Sequence, residues 1–369
     1  MSAAPAVPSV SRPGRVPLAD LLESGPAIWD ALPARSPFMS WAWHRAWAEA
    51  ASEAAASFAL VLRSDDGNLD ALLPLARRRA LFHRLPVTAL TWAIGDMGCP
   101  DSLDVPATPQ ADLSALAPQL ETLDWQVIVL SNLAPEAVNA RRLCAALTER
   151  GHTIHREPLW TCPYLDLVDD WERYLGGLSR SRRQALRYMD RSLRRRHAVA
   201  ITDYNGDRVE AGWRHLVDLH QRRWADPGGG ALSDPAIQRL HLRFATELSK
   251  RGELWLTTLD LDGVPAAAWY GFTSGDTVYF YQCGRDPRWE KQSVGQVLIA
   301  AMIRRAMERG FKRFDFLRGN DAYKQHWTSS ARTTEEITIF RRGWRGLGLR
   351  GLEVLADLRS RLRKAPADA

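Results

Sequence analysis

Cysteine is scarce and unpatterned in this sequence. Cys99, Cys144, Cys162 and Cys283 are scattered along 369 residues with no CxxC pair, which argues against a zinc site and a disulfide framework and suits a reducing, cytoplasmic setting. Neither His220 nor His326 sits at a metal-ligand spacing, and no metal dependence is expected. No stretch approaches the ~18 uninterrupted apolar residues of a membrane span. The opening MSAAPAVPSVSRPGRVP has no apolar core of the kind a signal peptide carries, and residues 1–17 read as a flexible Pro/Ala-rich tail. With 46% hydrophobic and 25% charged residues, the chain is globular and not disordered.

What is present in excess is tryptophan, fifteen residues, whose apolar face and single N–H donor suit cores and grooves. The net charge of +6 favours anionic partners such as phosphorylated cofactors, nucleic acid or a membrane surface, and says nothing of fold. The length exceeds what one core usually serves, so two domains of roughly 150–200 residues are expected.

Hydrophobic periodicity divides the chain near residue 160. In 18–160, PFMSWAWHRAWAEAAS reads as an amphipathic helix carrying Trp41, Trp43 and Trp47. ASFALVLRS and NLDALLPLARRRA read as two strands about a DDG turn, LTWAIGDMGCPDSLDVP as loop, and DWQVIVLSNL as a buried strand. PEAVNARRLCAALTERG has helical spacing and stops at Gly151. In 161–345, TCPYLDLVD reads as a strand, followed by a helix or helix pair with Leu178, Ala185, Met189 and Leu193 on one face and nine arginines between Arg173 and Arg196. Two helices then precede three strands, ELWLTTLDL, VPAAAWYGFT and TVYFYQCG, joined by hairpin turns. The loop RDPRWEKQSVG, the helix QVLIAAMIRRAMERG, the strand RFDFLRG, the short helical DAYKQHW and the strand EEITIFRR complete an α/β pattern with a right-handed crossover. Residues 346–369 form a basic amphipathic segment, able to lie on a membrane surface or to pack on its own protein.

Ser293 and Gly295 stand where a turn enters a helix and aims free backbone N–H groups outward, an anion site or an ordinary capped helix. Asp315 lies on a strand between Phe314 and Phe316 and points opposite to both. It is either a general base with a raised pKa or a structural carboxylate. His220 and His326 are alternative bases. The arginine helix offers guanidinium forks for phosphate, a nucleic-acid contact or a solvated face.

The order of meander, QSVGQV loop, amphipathic helix and short strand resembles the acyl-CoA-binding core of GNAT acyltransferases. Gln292 and Gly295 match the first two defined positions of the pyrophosphate loop, while Val297 stands where Gly or Ala is expected. Ser293–Gly295, Phe314-Asp315-Phe316, Gly319, Tyr323-Lys324 and Trp327, with Ser179, Arg180, Arg183, Arg187 and His220-x-x-Arg223-Trp224 upstream, resemble the CelD-type, cellulose-biosynthesis-associated branch. The resemblance spans about residues 160–340. It implies two tandem GNAT-like α/β domains, the first degenerate and the second catalytic, a plan shared with Fem-type transferases.

The implied reaction moves an acyl group, acetyl above all, from acyl-CoA to an amine or hydroxyl of an acceptor such as a saccharide precursor. Backbone amides from Gln292 through Ser293, Val294, Gly295 and Gln296 to Val297 would hold pyrophosphate. Tyr323 would protonate the leaving sulfur, with Lys324 and Asp315 assisting. Arg180, Arg183, His220, Arg223, Trp224, Tyr281 and Trp327 would meet the acceptor. The Fem resemblance implies an alternative donor, aminoacyl-tRNA, and a third possibility is a non-catalytic module that binds an anionic polymer.

Overall fold

A computed structural model describes residues 12–33, 36–52, 54–223, 230–319 and 321–364, with the side chains of the last helix described to residue 355. It divides into two units, residues 1–160 with 333–369 and residues 161–332. The sequence reading carried the second domain to 345, but the chain rejoins the first unit at Thr333.

The first unit opens with β1 (Arg12–Pro17), an edge strand paired antiparallel with β2 (Phe58–Arg63) from Arg12↔Arg63 to Pro17↔Phe58. These residues were expected in the tail. Pro13 and Pro17 cannot donate to a ladder, which is tolerable on an edge strand. Helices α1 (Leu18–Glu23), α2 (Pro26–Trp29) and α3 (Trp41–Ala50) intervene, with Trp29, Trp43 and Trp47 fully buried. β3 (Leu69–Phe82) and β4 (Leu85–Trp92) form a hairpin whose two-residue turn, His83 and Arg84, has φ of 47° and 70°. Positive φ at both positions is what a type I′ turn requires. β4 takes the first residues of the segment read as loop. The crossover helix α4 (Leu116–Thr122) leads to β5 (Val127–Leu133), parallel to β4, and α5 (Val138–Glu149) follows.

β6 (Thr153–Asp166) carries the chain into the second unit, where α6 (Trp171–Gly177), α7 (Arg180–Arg196), β7 (Val199–Asp203), α8 (Val209–Arg223) and α9 (Pro235–Lys250) precede the meander β8 (Leu254–Leu261), β9 (Val264–Ser274) and β10 (Thr277–Arg285). Helix α10 (Val294–Glu308) crosses over to β11 (Arg313–Asp315), parallel to β10. The chain then returns to the first unit through β12 (Ala331–Phe340) and ends in α11 (Trp344–Lys364).

The two units repeat one plan. In the first, β1 to β4 are antiparallel neighbours, β5 is parallel to β4, and β12 is antiparallel to β5. In the second, β7 to β10 are antiparallel neighbours, β11 is parallel to β10, and β6 is antiparallel to β11. This is the mixed α/β, tandem GNAT-like architecture. Its core in the second unit gathers Trp255, Trp269, Phe280, Phe314 and Phe316 beneath Val297, Leu298, Met302 and Ile303 of α10.

Candidate functional site in the second unit

The turn that enters α10 is anchored from behind. The buried Asp286 accepts from the Arg288 amide at 2.9 Å and pairs with Arg288 at 2.7 Å and Arg222 at 3.0 Å. Those bonds, the Arg288 side chain's first, hold its carboxyl down at about 2. The 3₁₀ turn Pro287–Gln292 ends at Ser293, whose φ of 55° is left-handed, a conformation that costs a residue with a Cβ roughly 1–2 kcal/mol. The Ser293 amide donates to the Glu290 carbonyl at 3.0 Å, while the Ser293 carbonyl accepts from Gln296 at 2.9 Å and Val297 at 3.1 Å. Three of the six amides expected to face an anion are therefore already engaged. Val294 and Gly295 lead the helix, where amides have no intrahelical acceptor.

Those two residues open onto a cavity of about 240 Å³, lined also by Arg285, Ser293, Gln296, Cys283, Arg223 and Tyr323. Arg285 pairs with Glu290 at 2.9 Å, and Arg223 donates to the Cys283 sulfur at 2.9 Å. Arg223 reaches the wall because α8 lies close on β10. A Cβ at Gly284 would stand 2.5 Å from the His220 amide nitrogen, so only glycine permits the approach. Burial pushes the Tyr323 phenol well above its ordinary range, with Cys283 and Asp321 adding to the effect. Burial likewise raises the Cys283 thiol against the pull of Arg223.

The other expected residues lie elsewhere. Gln292 ends the turn and does not line the cavity. Val297 is 5% exposed and turns into the core against the α6–α7 side of α10. Asp315, 1% exposed, binds the Arg332 guanidinium and accepts from the Leu317 amide at 2.8 Å. Lys324, also buried, donates to the Arg318 carbonyl at 2.7 Å and sits 3.4 Å from Asp321. Both were named for the chemistry, and both hold the segment after β11 through these bonds. His220 is fully buried, and burial lowers its pKa to about 4, so it stays neutral at pH 7. Tyr281 occupies the β10 bulge, its ring 4.3 Å from that of His241. Trp327 is buried and its carbonyl accepts from the Tyr174 hydroxyl at 2.9 Å. Trp224 lies outside the described residues.

Of the arginine helix, Arg180 is exposed and Arg183 caps α6 through the Leu175 and Gly176 carbonyls at 3.4 and 3.3 Å. The arginine that reaches the loop is Arg182. Its guanidinium donates to the Gln296 side-chain oxygen at 2.8 Å and lies 4.8 Å above the Trp327 ring, a cation–π contact. Helical spacing carries the signal for it, since 182, 185, 186, 189 and 193 share one face.

Residues 180–325 match the family model described as an acetyltransferase (GNAT) domain. No curated protein matches the chain. Among solved structures, the chain is similar to FemX, with a TM-score of 0.57 at 10% identity over 86% of this chain and 95% of that one. It is also similar to L-PGS from Bacillus licheniformis, with a TM-score of 0.55 at 12% identity over 91% and 98% of the two chains. The C-terminal domain of a putative lysylphosphatidylglycerol synthetase from Agrobacterium fabrum gives 0.52 at 10% identity over 91% and 97%. At such identities the likeness is one of fold.

Proposed function

We propose that the second unit is an acyl-CoA-dependent acyltransferase working at the cavity before α10. The observation that carries this reading is the convergence of two helix-leading amides, two guanidiniums and the Tyr323 phenol on one space, inside the segment that matches the GNAT domain. Amides and arginines suit the phosphates of the donor. The departure at Val297 does not count against the fit, because that side chain packs on the far side of α10.

In the reaction proposed, the acceptor's nitrogen or oxygen bonds to the acyl carbon as the carbon–sulfur bond breaks. The acceptor's proton passes to solvent, and Tyr323 gives its own proton to the departing sulfur and is reprotonated from solvent. The phenol is protonated across neutral pH and so has a proton to give, while its burial makes it a weaker acid than an exposed tyrosine. Asp315 and His220 lie off the cavity, so neither takes the acceptor's proton. The CelD-type resemblance supports a saccharide-precursor acceptor and a cytoplasmic setting, with acetyl as the group transferred. The first unit is proposed as degenerate: its crossover helix α4 has seven residues where α10 has fifteen.

The exposed Arg191, Arg194, Arg195 and Arg196 on α7 favour a second reading, a Fem-like transferase that takes its donor on tRNA. Titration calorimetry with acetyl-CoA separates the two. Donor binding is expected in the wild type and abolished in Gly295→Trp. Gly295→Ala is expected to retain it, since a Cβ there meets nothing nearer than the Arg285 Cδ at 3.7 Å. Binding of tRNA without acetyl-CoA affinity would replace the first reading with the second, and neither would leave a non-catalytic module.

A further inference from the structure

Eleven large hydrophobic side chains are exposed among the described residues, and six of them gather on one surface of the first unit. Leu81 (75% exposed) and Leu85 flank the β3–β4 turn, and Trp344 (78%), Leu347 (60%), Val354 and Leu355 form a stripe along α11. The α11 spacings of three, seven and eleven residues place that stripe on one side of the helix. Leu349 lies on the other side, 7% exposed, packed with Val87, Val127 and Phe340. The core therefore accounts for one apolar face of α11 and leaves the second uncovered.

Charge around the stripe is mostly positive, Asp124 reaching Arg77 at 3.5 Å and Glu121 reaching Arg342 at 3.7 Å. No acidic residue occurs between Asp70 and Asp96 or between Glu336 and Glu353, while Arg77, Arg79, Arg84, Arg342 and Arg345 are exposed in those spans. The hairpin and the helix are held together: His83 bonds Glu353 at 2.8 Å, Glu353 lies 3.6 Å from His155, and Arg350 bonds His155 at 3.1 Å. The one acid of the helix's first three turns is thereby turned inward, away from the stripe. Between hairpin and helix runs a groove of about 770 Å³ with Leu85, Val87, Trp344 and Leu352 in its walls.

The geometry points to this surface as a docking face for an anionic lipid bilayer, on which α11 lies parallel to the membrane plane. An indole and leucines at the exposed face with arginines beside them are the composition of an interfacial helix. The arginines supply the preference for anionic headgroups. A protein partner of ordinary composition would leave Arg79, Arg84 and Arg345 without counter-charges. Among the described residues no helix is long and apolar enough to cross a membrane, so the attachment is to the surface and reversible.

The test is co-sedimentation of the full chain with phosphatidylcholine vesicles and with vesicles that also contain phosphatidylglycerol. Binding is expected to the mixed vesicles alone and to weaken as salt is raised. Trp344→Ser combined with Leu347→Ser should reduce it about a hundredfold, the loss of two buried apolar side chains. Arg79→Glu with Arg345→Glu should abolish the lipid preference. Ile28→Ser, an exposed apolar residue elsewhere in the unit, should change nothing, and all variants should melt with the wild type. Equal binding to neutral vesicles overturns the inference, as does no binding at all. It is also overturned if the double serine variant instead dissolves a dimer in gel filtration or abolishes RNA binding.

Discussion

Arg182 of α7 and Gln296 of α10 are joined across 2.8 Å, guanidinium to amide oxygen, at the rim of the cavity. The bond ties the arginine helix to the loop proposed to hold the donor. It also fixes Gln296 with its oxygen toward Arg182 and its N–H₂ group free to turn to the cavity it lines. Burial lowers the Arg182 pKa from its ordinary value without threatening its charge at neutral pH.

Arg182→Ala is expected to raise the KM for acyl-CoA about tenfold, the scale of one charge-assisted hydrogen bond. Gln296→Ala should do much the same. The double variant should be little worse than either, because both remove one interaction. Additive losses would mean that the two act separately.

Tyr323→Phe is expected to lower kcat by roughly 10²–10⁴-fold with little change in KM, the range for loss of a positioned acid. Since burial raises the phenol, no loss of activity from its ionisation should appear on the alkaline side below pH 10. A wild-type alkaline limb centred near pH 8 that Tyr323→Phe removes would contradict the assignment.

Asp315→Ala removes the carboxylate that the Arg332 guanidinium binds and frees the Leu317 amide, which has a left-handed φ of 56° at its residue. Removing one partner of such a pair costs about 3–5 kcal/mol. The variant should unfold earlier in urea, and whatever folded enzyme remains should keep near-normal kcat. A stable protein without activity would restore Asp315 to the chemistry.

Glu336 on β12 has its carboxyl raised from 4.5 to about 7, by burial first and then by Glu157 and Glu353. The folded chain holds this proton more tightly than the unfolded one. The associated stability is complete below about pH 4.5 and is lost as pH rises through 7. Glu336→Gln should therefore gain roughly 2 kcal/mol relative to the wild type between pH 5 and pH 8, read as a flatter dependence of Tm on pH.

The meander, the α10 helix and the strand at Phe314 were legible in the sequence because short apolar runs between turn residues mark the strands and a period of 3.6 marks the helix. The exchange of strands was not. Local pattern shows that TCPYLDLVD and EEITIFRR are strands and says nothing of which neighbour each will take. Of the candidate site, the turn into α10 at Ser293 and Gly295 was legible, because backbone geometry makes it. A side chain's partner, which decides its role, has no signature in the pattern. Asp315 and Lys324 stand in the motif beside Tyr323, yet Arg332 and the Arg318 carbonyl claim them. The family resemblance pointed to Arg180 and Arg183, while the face shared with Leu186 and Leu193 points to Arg182.

The pairing of Ile128 in β5 with Ile339 in β12 has a consequence in time. On the ribosome, β5 leaves the exit tunnel with one side of its ladder unfilled, and the strand that fills it is about two hundred residues away. At ~5–20 residues per second the wait is roughly 10–40 s. Throughout it, the half-made protein presents a buried-type edge, Val127 to Leu133, of the kind that recruits foreign strands. The second unit has all of its strands before β12 is made, so it can finish first and the first unit closes last.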